Sequence, residues 1–348
     1  MNIAITGGNG FIGSAFLNLY RDRFDNVLQL TSGKTSIGKR YELNDLNSII
    51  NQTKGVDCFI HCAFDHNYRD NIIGIRNIIE ACKVNKIEKL IYLSTVSVYD
   101  PMLTGEVDES RQYSALYDPY SYEKVKIEKI IRKSELNNVT ILQPSIVYGL
   151  GGNWTKYAFN LSRSGGVELS ATNKCNPVYV NDVAQAIYRS TQVNSNKINT
   201  FLISADSPVS WQTFYEKHDQ IMSRIANWNS SLVIQNTNSN KYHNSFFGNF
   251  VLNVWFNTPV GLVLNKLVAV IKKIRAKKYV NVSNKEDIKQ IFSEARKNII
   301  ESPVGITRLV HNCQFEIEIN KAKSELHFQP EYSFDSGMSL IEDKLIND

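Results

Sequence analysis

Tyr120 and Lys124 are the residues whose types and spacing point most directly to chemistry. They stand four apart in Asp118-Pro119-Tyr120-Ser121-Tyr122-Glu123-Lys124, at the start of a stretch whose Ile127, Ile130 and Ile131 carry helical spacing, so they share one helix face. An ammonium beside a phenol favours the phenolate and brings it toward the range where it accepts and returns a proton near neutrality. Upstream, Thr95 in Ser94-Thr95-Val96-Ser97-Val98-Tyr99 offers a hydroxyl that can complete a hydrogen-bonded path to a substrate alcohol or carbonyl. In a chain with 17 tyrosines a Tyr-x-x-x-Lys spacing is weak by itself, and its weight comes from the elements around it.

Those elements begin at the amino-terminus. Asn2-Ile3-Ala4-Ile5-Thr6 reads as a strand, Gly7 to Gly13 as a glycine-rich turn and Ser14 to Tyr20 as a helix. Glycines there let backbone N–H groups approach a pyrophosphate at a helix N-terminus, which is the context of a dinucleotide site. Two spacings fit, one through Gly8, Gly10 and Gly13 and one through Gly7, Gly10 and Gly13. Val27 to Leu30 reads as a second strand, and Thr31 stands where a ribose-binding acid is expected; Ser32, Lys34, Lys39 and Arg40 follow, a set suited to a 2′-phosphate, so NADP is favoured over NAD. A helix over Asp45 to Thr53, a strand over Asp57 to Ala63, a helix over Asn71 to Lys83 and an apolar strand over Leu90 to Leu93 continue the alternation. The expected fold is α/β, a doubly wound parallel sheet whose ligand lies at the carboxyl ends of its strands, where Ser94 and Thr95 fall.

Composition bounds the rest. With 348 residues, 43% hydrophobic and 21% charged, the chain has room for a dinucleotide-binding domain and a smaller lobe. A net charge of +5 spread along the sequence does not argue for nucleic acid. Cys58, Cys62, Cys82, Cys175 and Cys313 are odd in number and lack a Cys-x-x-Cys pair, so neither a disulfide framework nor a metal site is expected. No secretory leader pattern is present, and the expected location is cytoplasmic.

These segments together resemble the extended short-chain dehydrogenase/reductases, in particular the nucleotide-sugar epimerase/dehydratase group. Thr6 to Gly13 is similar to the family's cofactor loop, His61-Cys62-Ala63 to its fourth-strand signature, Asn71 with Gly74 to its helix motif, and Gln143-Pro144-Ser145-Ile146-Val147-Tyr148-Gly149 to an Arg-Pro-x-x-Val-Tyr-Gly element. Val178 to Ala184 is similar to the segment that rejoins the cofactor domain, and Glu128 falls on a familiar downstream acid. The resemblance implies Tyr120, Lys124 and Thr95 as catalytic residues. It implies Gly7, Gly10, Phe11, Ile12, Gly13, Thr31, Ser32, Lys34, Ala63 and Ser94, with Tyr120 and Lys124, as the cofactor site. Three departures stand out: Glu123 for a small hydroxyl residue, Gln143 for an arginine and Thr31 for the ribose acid. The reaction it implies is epimerisation of a nucleotide-activated or diphosphate-linked sugar through a transient keto intermediate. Reduction of a keto-sugar with NADPH needs the same three side chains, and a non-catalytic NADP-binding regulator is the rival from another class. A dehydratase is disfavoured because Val96 and Ser97 stand where its acidic pair is expected. A homodimer is a further expectation.

The expected domains are 1–170, rejoined by 177–205, for the cofactor, and 206–348 for the substrate lobe. Within the lobe, 246–278 is strongly apolar, and Val260, Val263, Leu264, Leu267, Val268, Ile271 and Ile274 form one stripe ahead of Lys272, Lys273, Arg275, Lys277 and Lys278. Asn253, Asn257, Pro259 and Lys266 rule out a span. Packing on the lobe, peripheral contact with an anionic membrane face and a partner helix all remain open for this stretch.

Overall fold

The computed structural model describes residues 1–31, 39–40, 44–65, 67–101, 103–113, 119–169, 173–226, 232–236, 282, 284–288, 299–301 and 310–347. The first half runs β1 (Asn2–Thr6), α1 (Phe11–Tyr20), β2 (Asn26–Thr31), β3 (Lys39–Arg40), α2 (Leu46–Gln52), β4 (Cys58–His61), α3 (Tyr68–Val84) and β5 (Lys89–Leu93). It continues through β6 (Thr104–Val107), α4 (Pro119–Arg132), β7 (Val139–Pro144), β8 (Ile146–Tyr148), α5 (Asn153–Ser164), β9 (Gly165–Leu169), β10 (Lys174–Cys175), β11 (Pro177–Tyr179), α6 (Val180–Gln192) and β12 (Ile198–Ile203). Beyond these come β13 (Val209–Ser210), α7 (Trp211–Ala226), β14 (Val233–Asn236), β15 (Ile299–Glu301), β16 (Gln314–Ile317), α8 (Asn320–Glu325) and α9 (Phe334–Asn347).

Seven of the strands form one sheet in the order β12-β7-β5-β4-β1-β2-β3, every neighbouring pair parallel. The doubly wound expectation therefore holds. β1 has β2 on one side and β4 on the other, so the order reverses at β1 and opens a crevice past its carboxyl end. The strands are apolar on both faces because both are covered. Ile3, Ile5 and Ile60 pack with Phe16 of α1 and Val183 and Ile187 of α6, while Ala4, Phe59 and Leu90 pack with Ile75 and Ile78 of α3 and Ile127 and Ile131 of α4. Helix starts follow local chemistry: the Asp45 carboxylate caps α2 at Ser48 N, the Asn67 side chain caps α3 at Arg69 N, and Pro119 opens α4, where its missing N–H costs nothing.

A second core gathers Tyr148, Phe159 of α5, Trp211 and Phe214 of α7, and Phe334 and Ile341 of α9. Two segments cross the division drawn from the sequence. Residues 146–169 contribute Ile146, Tyr148, Phe159 and Val167 to this second core. Conversely, β16 pairs with β6, and Phe315, Ile319, Ala322, Leu326 and Phe328 enter the first core beside Ile3 and Ile5. The link is non-local: Gln314 of β16 pairs with Thr104 of β6, from distant parts of the chain. No helix among the described residues is long and apolar enough to cross a membrane. The stretch 246–278, with its three open readings, lies outside the described residues.

Candidate functional site

The glycine turn distinguishes the two spacings. Gly7 has φ +73°, and a Cβ there would lie 2.6 Å from Ala63 N, while one on Gly13 would lie 2.2 Å from Gly7 O. One on Gly10 would sit 3.1 Å from the same carbonyl, whereas one on Gly8 meets side chains alone, Leu17 Cδ1 at 3.0 Å and Gln29 Oε1 at 3.5 Å. Gly7, Gly10 and Gly13 are thus the positions where backbone packs on backbone. Gly10 caps α1 with no side-chain hydrogen bond, and the first turn carries no acid, so the helix start keeps N–H donors for an anion. This cradle fits a dinucleotide's pyrophosphate. Ala63 N donates to Thr6 Oγ1 at 3.4 Å, which ties β4's exit to β1's end. His61, at the end of β4, accepts or donates at 2.7 Å with the same Thr6 hydroxyl, and burial pushes its imidazole down to about 3, so it stays neutral. Thr31 closes β2, half-buried; Ser32 and Lys34 lie outside the described residues.

From this turn a cleft of about 660 Å³ opens at the carboxyl ends of the strands. Phe11, Ile12, Ser94, Thr95, Tyr120 and Lys124 all line it. Thr95 follows β5 in extended conformation, and its Oγ1 accepts from Ser97 N at 3.2 Å, capping a short 3₁₀ turn over Val96–Val98. Lys124 is 4% exposed and donates to Leu93 O at 2.9 Å, with Phe64, Tyr92 and Tyr120 rings at 4.8, 4.9 and 5.8 Å from its ammonium. Burial lowers its pKa to about 8, against the opposite pull of Glu123, Glu128 and the Cys62 thiol, so it remains a cation at neutral pH. Phe64 packs edge-on to Tyr120 at 5.1 Å.

Behind these residues lies a network that the sequence reading did not assemble. Glu128, fully buried one helical turn beyond Lys124, accepts from the Ser94 hydroxyl, from Tyr113 OH at 2.5 Å and from Gln143 Nε2 at 2.9 Å, with the Arg132 guanidinium 3.6 Å away. Tyr99, on the cleft wall, donates to Gln143 Oε1 at 2.9 Å. Two of the departures thereby acquire a physical reading. Gln143 keeps a donor on Glu128 while Arg132 brings the positive charge, and Glu123 accepts from Asn71 Nδ2 at 2.6 Å, which also holds the Asp65 carbonyl at 2.7 Å. The i, i+4 spacing of Glu128 and Arg132 was the signal in the sequence.

The rest of the lining draws on both cores: Trp154 and Tyr157 of α5, Trp211 at the start of α7 and Val310 from the second, and Phe315 and Ile317 of β16 from the first. None of these was singled out from the sequence as part of a site.

Over residues 3–203, more than half of its length, the sequence matches the NAD dependent epimerase/dehydratase family. The chain belongs to this family. Among the relatives of this epimerase/dehydratase chain, a 2-alkyl-3-oxoalkanoate reductase of Stenotrophomonas maltophilia is 26% identical over 53% of the chain and 64% of the relative. The N-acetyl-α-D-glucosaminyl-diphospho-ditrans,octacis-undecaprenol 4-epimerase of Escherichia coli O157:H7 is 22% identical over 53% of the chain and 62% of the relative. The chain therefore spans less than two thirds of the curated relatives it matches. In fold it resembles UDP-glucose 4-epimerase of Thermotoga maritima solved with UDP-glucose (TM-score 0.66, 16% identity, 100% of this chain and 99% of that one). It equally resembles dTDP-glucose 4,6-dehydratase of Bacillus anthracis solved with NAD (TM-score 0.67, 16% identity, 100% and 97%).

Proposed function

We propose that this chain is an NAD(P)-dependent epimerase of a diphosphate-linked sugar, working through a transient keto intermediate. The observation that carries the reading is the convergence of Tyr120, buried Lys124 and Thr95 on one cleft that opens from the glycine turn. The Thermotoga structure holds UDP-glucose and the Escherichia coli relative is named for a sugar on diphospho-undecaprenol; both ligands carry a diphosphate.

Gly7, Gly10 and Gly13 with the start of α1 would hold the pyrophosphate of the cofactor, and Phe11, Ile12, Ala63 and Ser94 would border its nicotinamide half. A bound nicotinamide would supply a reversible hydride acceptor. The chain's own part is the proton and the orientation. Tyr120, as phenolate, takes the proton from the reacting hydroxyl and returns it after the keto sugar has turned its other face. Lys124 favours that phenolate by its charge, and its bond to Leu93 O fixes its reach. The Thr95 hydroxyl orients the reacting oxygen. In the same proposal residues 1–170 with 177–205 carry the cofactor and 206–348 cover the substrate.

Reduction of a keto-sugar with NADPH is the second reading, favoured by Thr31 in the ribose-acid position at the end of β2. Denaturing the purified protein separates the two: NAD⁺ released in stoichiometric amount supports the epimerase, while no released cofactor with NADPH consumption on a keto-sugar supports the reductase. Full turnover by Tyr120→Phe would overturn both.

A further inference from the structure

We infer that the group carried beyond the sugar's diphosphate is an isoprenoid hydrocarbon chain rather than a nucleotide; the inference rests on the diphosphate-linked sugar reading above. The juxtaposition that carries it is the apolar lining of Trp154, Tyr157, Trp211, Val310, Phe315 and Ile317, which shares one cleft with Ser94, Thr95, Tyr120 and Lys124.

A nucleoside is recognised through hydrogen bonds to its base edge and ribose hydroxyls, because a site that leaves such groups unpaired loses about 1–3 kcal/mol for each. Several polar groups of the described lining are already engaged within the chain. Asn176 donates to Phe315 O at 3.0 Å and accepts from Ile317 N at 3.2 Å, so both ends of its amide hold β16. Trp211 Nε1 donates to Val310 O at 3.2 Å, Ser145 donates to Ser204 Oγ at 3.2 Å, and Tyr99 is committed to Gln143. Lys174 is paired with Glu316. Toward the cleft the described residues on this side present mainly ring face and aliphatic surface. Such surface binds hydrocarbon at about 0.8 kcal/mol for each methylene buried and offers no discrimination among bases.

The wall is also held stiffly, which is what an anchor for a flexible chain requires. Trp154 packs on Trp211 at 5.2 Å, and Trp211 meets His311 edge-on at 4.4 Å. His311 in turn pairs with Tyr215 OH at 2.5 Å, and burial holds its imidazole near 3, so the support stays uncharged over the physiological range.

The test compares two ligands that share the diphosphate, farnesyl diphosphate and UDP, by titration calorimetry on the full chain loaded with NAD⁺. Saturable one-to-one binding of farnesyl diphosphate at least tenfold tighter than UDP, with the more negative heat capacity change, supports the inference. Trp154→Ser, a partly buried position, is expected to weaken farnesyl diphosphate about fivefold or more and leave UDP unchanged. Equal or tighter binding of UDP overturns it, as does a Trp154→Ser chain that binds farnesyl diphosphate unaltered. Binding is read without turnover, so a chain that prefers farnesyl diphosphate yet epimerises no sugar refutes the proposed reaction alone. A chain that epimerises a UDP-sugar and prefers UDP refutes this inference alone.

Discussion

The two walls of the cleft are built in opposite ways. On the sheet side the functional residues come from strand ends and one helix: Gly7 after β1, Ala63 after β4, Ser94 and Thr95 after β5, and Tyr120 and Lys124 on α4. On the lobe side Trp154, Trp211, Val310 and Phe315 come from segments far apart in the chain and meet through the second core and β16. The sheet side is charged, hydrogen-bonded and buried, with Lys124 and Glu128 inside it, while the lobe side shows mainly rings and aliphatic groups. In the proposed reaction proton transfer falls to one wall and recognition to the other. Substitutions on the sheet side are expected to strike kcat and cofactor affinity, and those on the lobe side KM.

The largest effect that would break this division is at Lys124. Lys124→Met is expected to lower kcat by about 10²–10⁴-fold, the range of a lost acid–base contribution, with substrate binding little changed by calorimetry. The same substitution is expected to stabilise the fold. Unfolded, the lysine keeps its proton up to its ordinary 10.5, but folded it loses it near 8, so the folded state is penalised in full below pH 8 and the penalty fades between 8 and 10.5. Removing that penalty, worth about 3 kcal/mol at neutral pH before the lost bond to Leu93 O is set against it, raises the melting temperature by about 2–4 °C. A Lys124→Met chain that kept wild-type kcat would dissolve the contrast between the walls. In the unmodified chain, kcat is expected to fall as pH rises through about 8, where Lys124 gives up its charge.

Next in size is the turn. Gly13→Ala drives a methyl into Gly7 O, and overpacking of this kind costs about 1–3 kcal/mol, which corresponds to roughly 5–150-fold in cofactor affinity if the cradle bears it. Gly8→Ala, which meets only the side chains of Leu17 and Gln29, is the control and should bind NAD⁺ nearly as before. Equal losses at the two positions would contradict the backbone-contact account. The smallest effect is at Glu128. Glu128→Gln keeps shape and one acceptor but removes a charge that favours protonated Lys124, so kcat should drop about tenfold and its alkaline fall should begin below pH 8. A reduced kcat with an unmoved pH profile would leave Glu128 a packing role only.

The same contrast explains what could be read from the residues. The sheet, its strands and the turn were legible because a strand, a tight loop and a helix start are local events, and because Tyr120 and Lys124 need only one helix to share a face. The choice between Gly7 and Gly8 was not legible, since it depends on how β4's exit at Ala63 approaches the turn. Nor were Trp154, Trp211 and Phe315, whose roles follow from pairings such as β16 on β6 that no short-range pattern announces. Glu128 lay between the two. Its spacing from Lys124 and Arg132 was visible, but its bonds to Ser94 and Gln143 cross from α4 to two strands.

The return of the chain after residue 313 has an engineering consequence. Because Phe315, Ile319, Ala322, Leu326 and Phe328 plug the nucleotide half's interior while Phe334 and Ile341 belong to the other half, the carboxy-terminal segment works as a seam sewn through both. Specificity grafts from a cousin enzyme cannot therefore be made as a single cassette. A transplanted recognition module would have to leave this seam with its original host or arrive together with a matching sheet face.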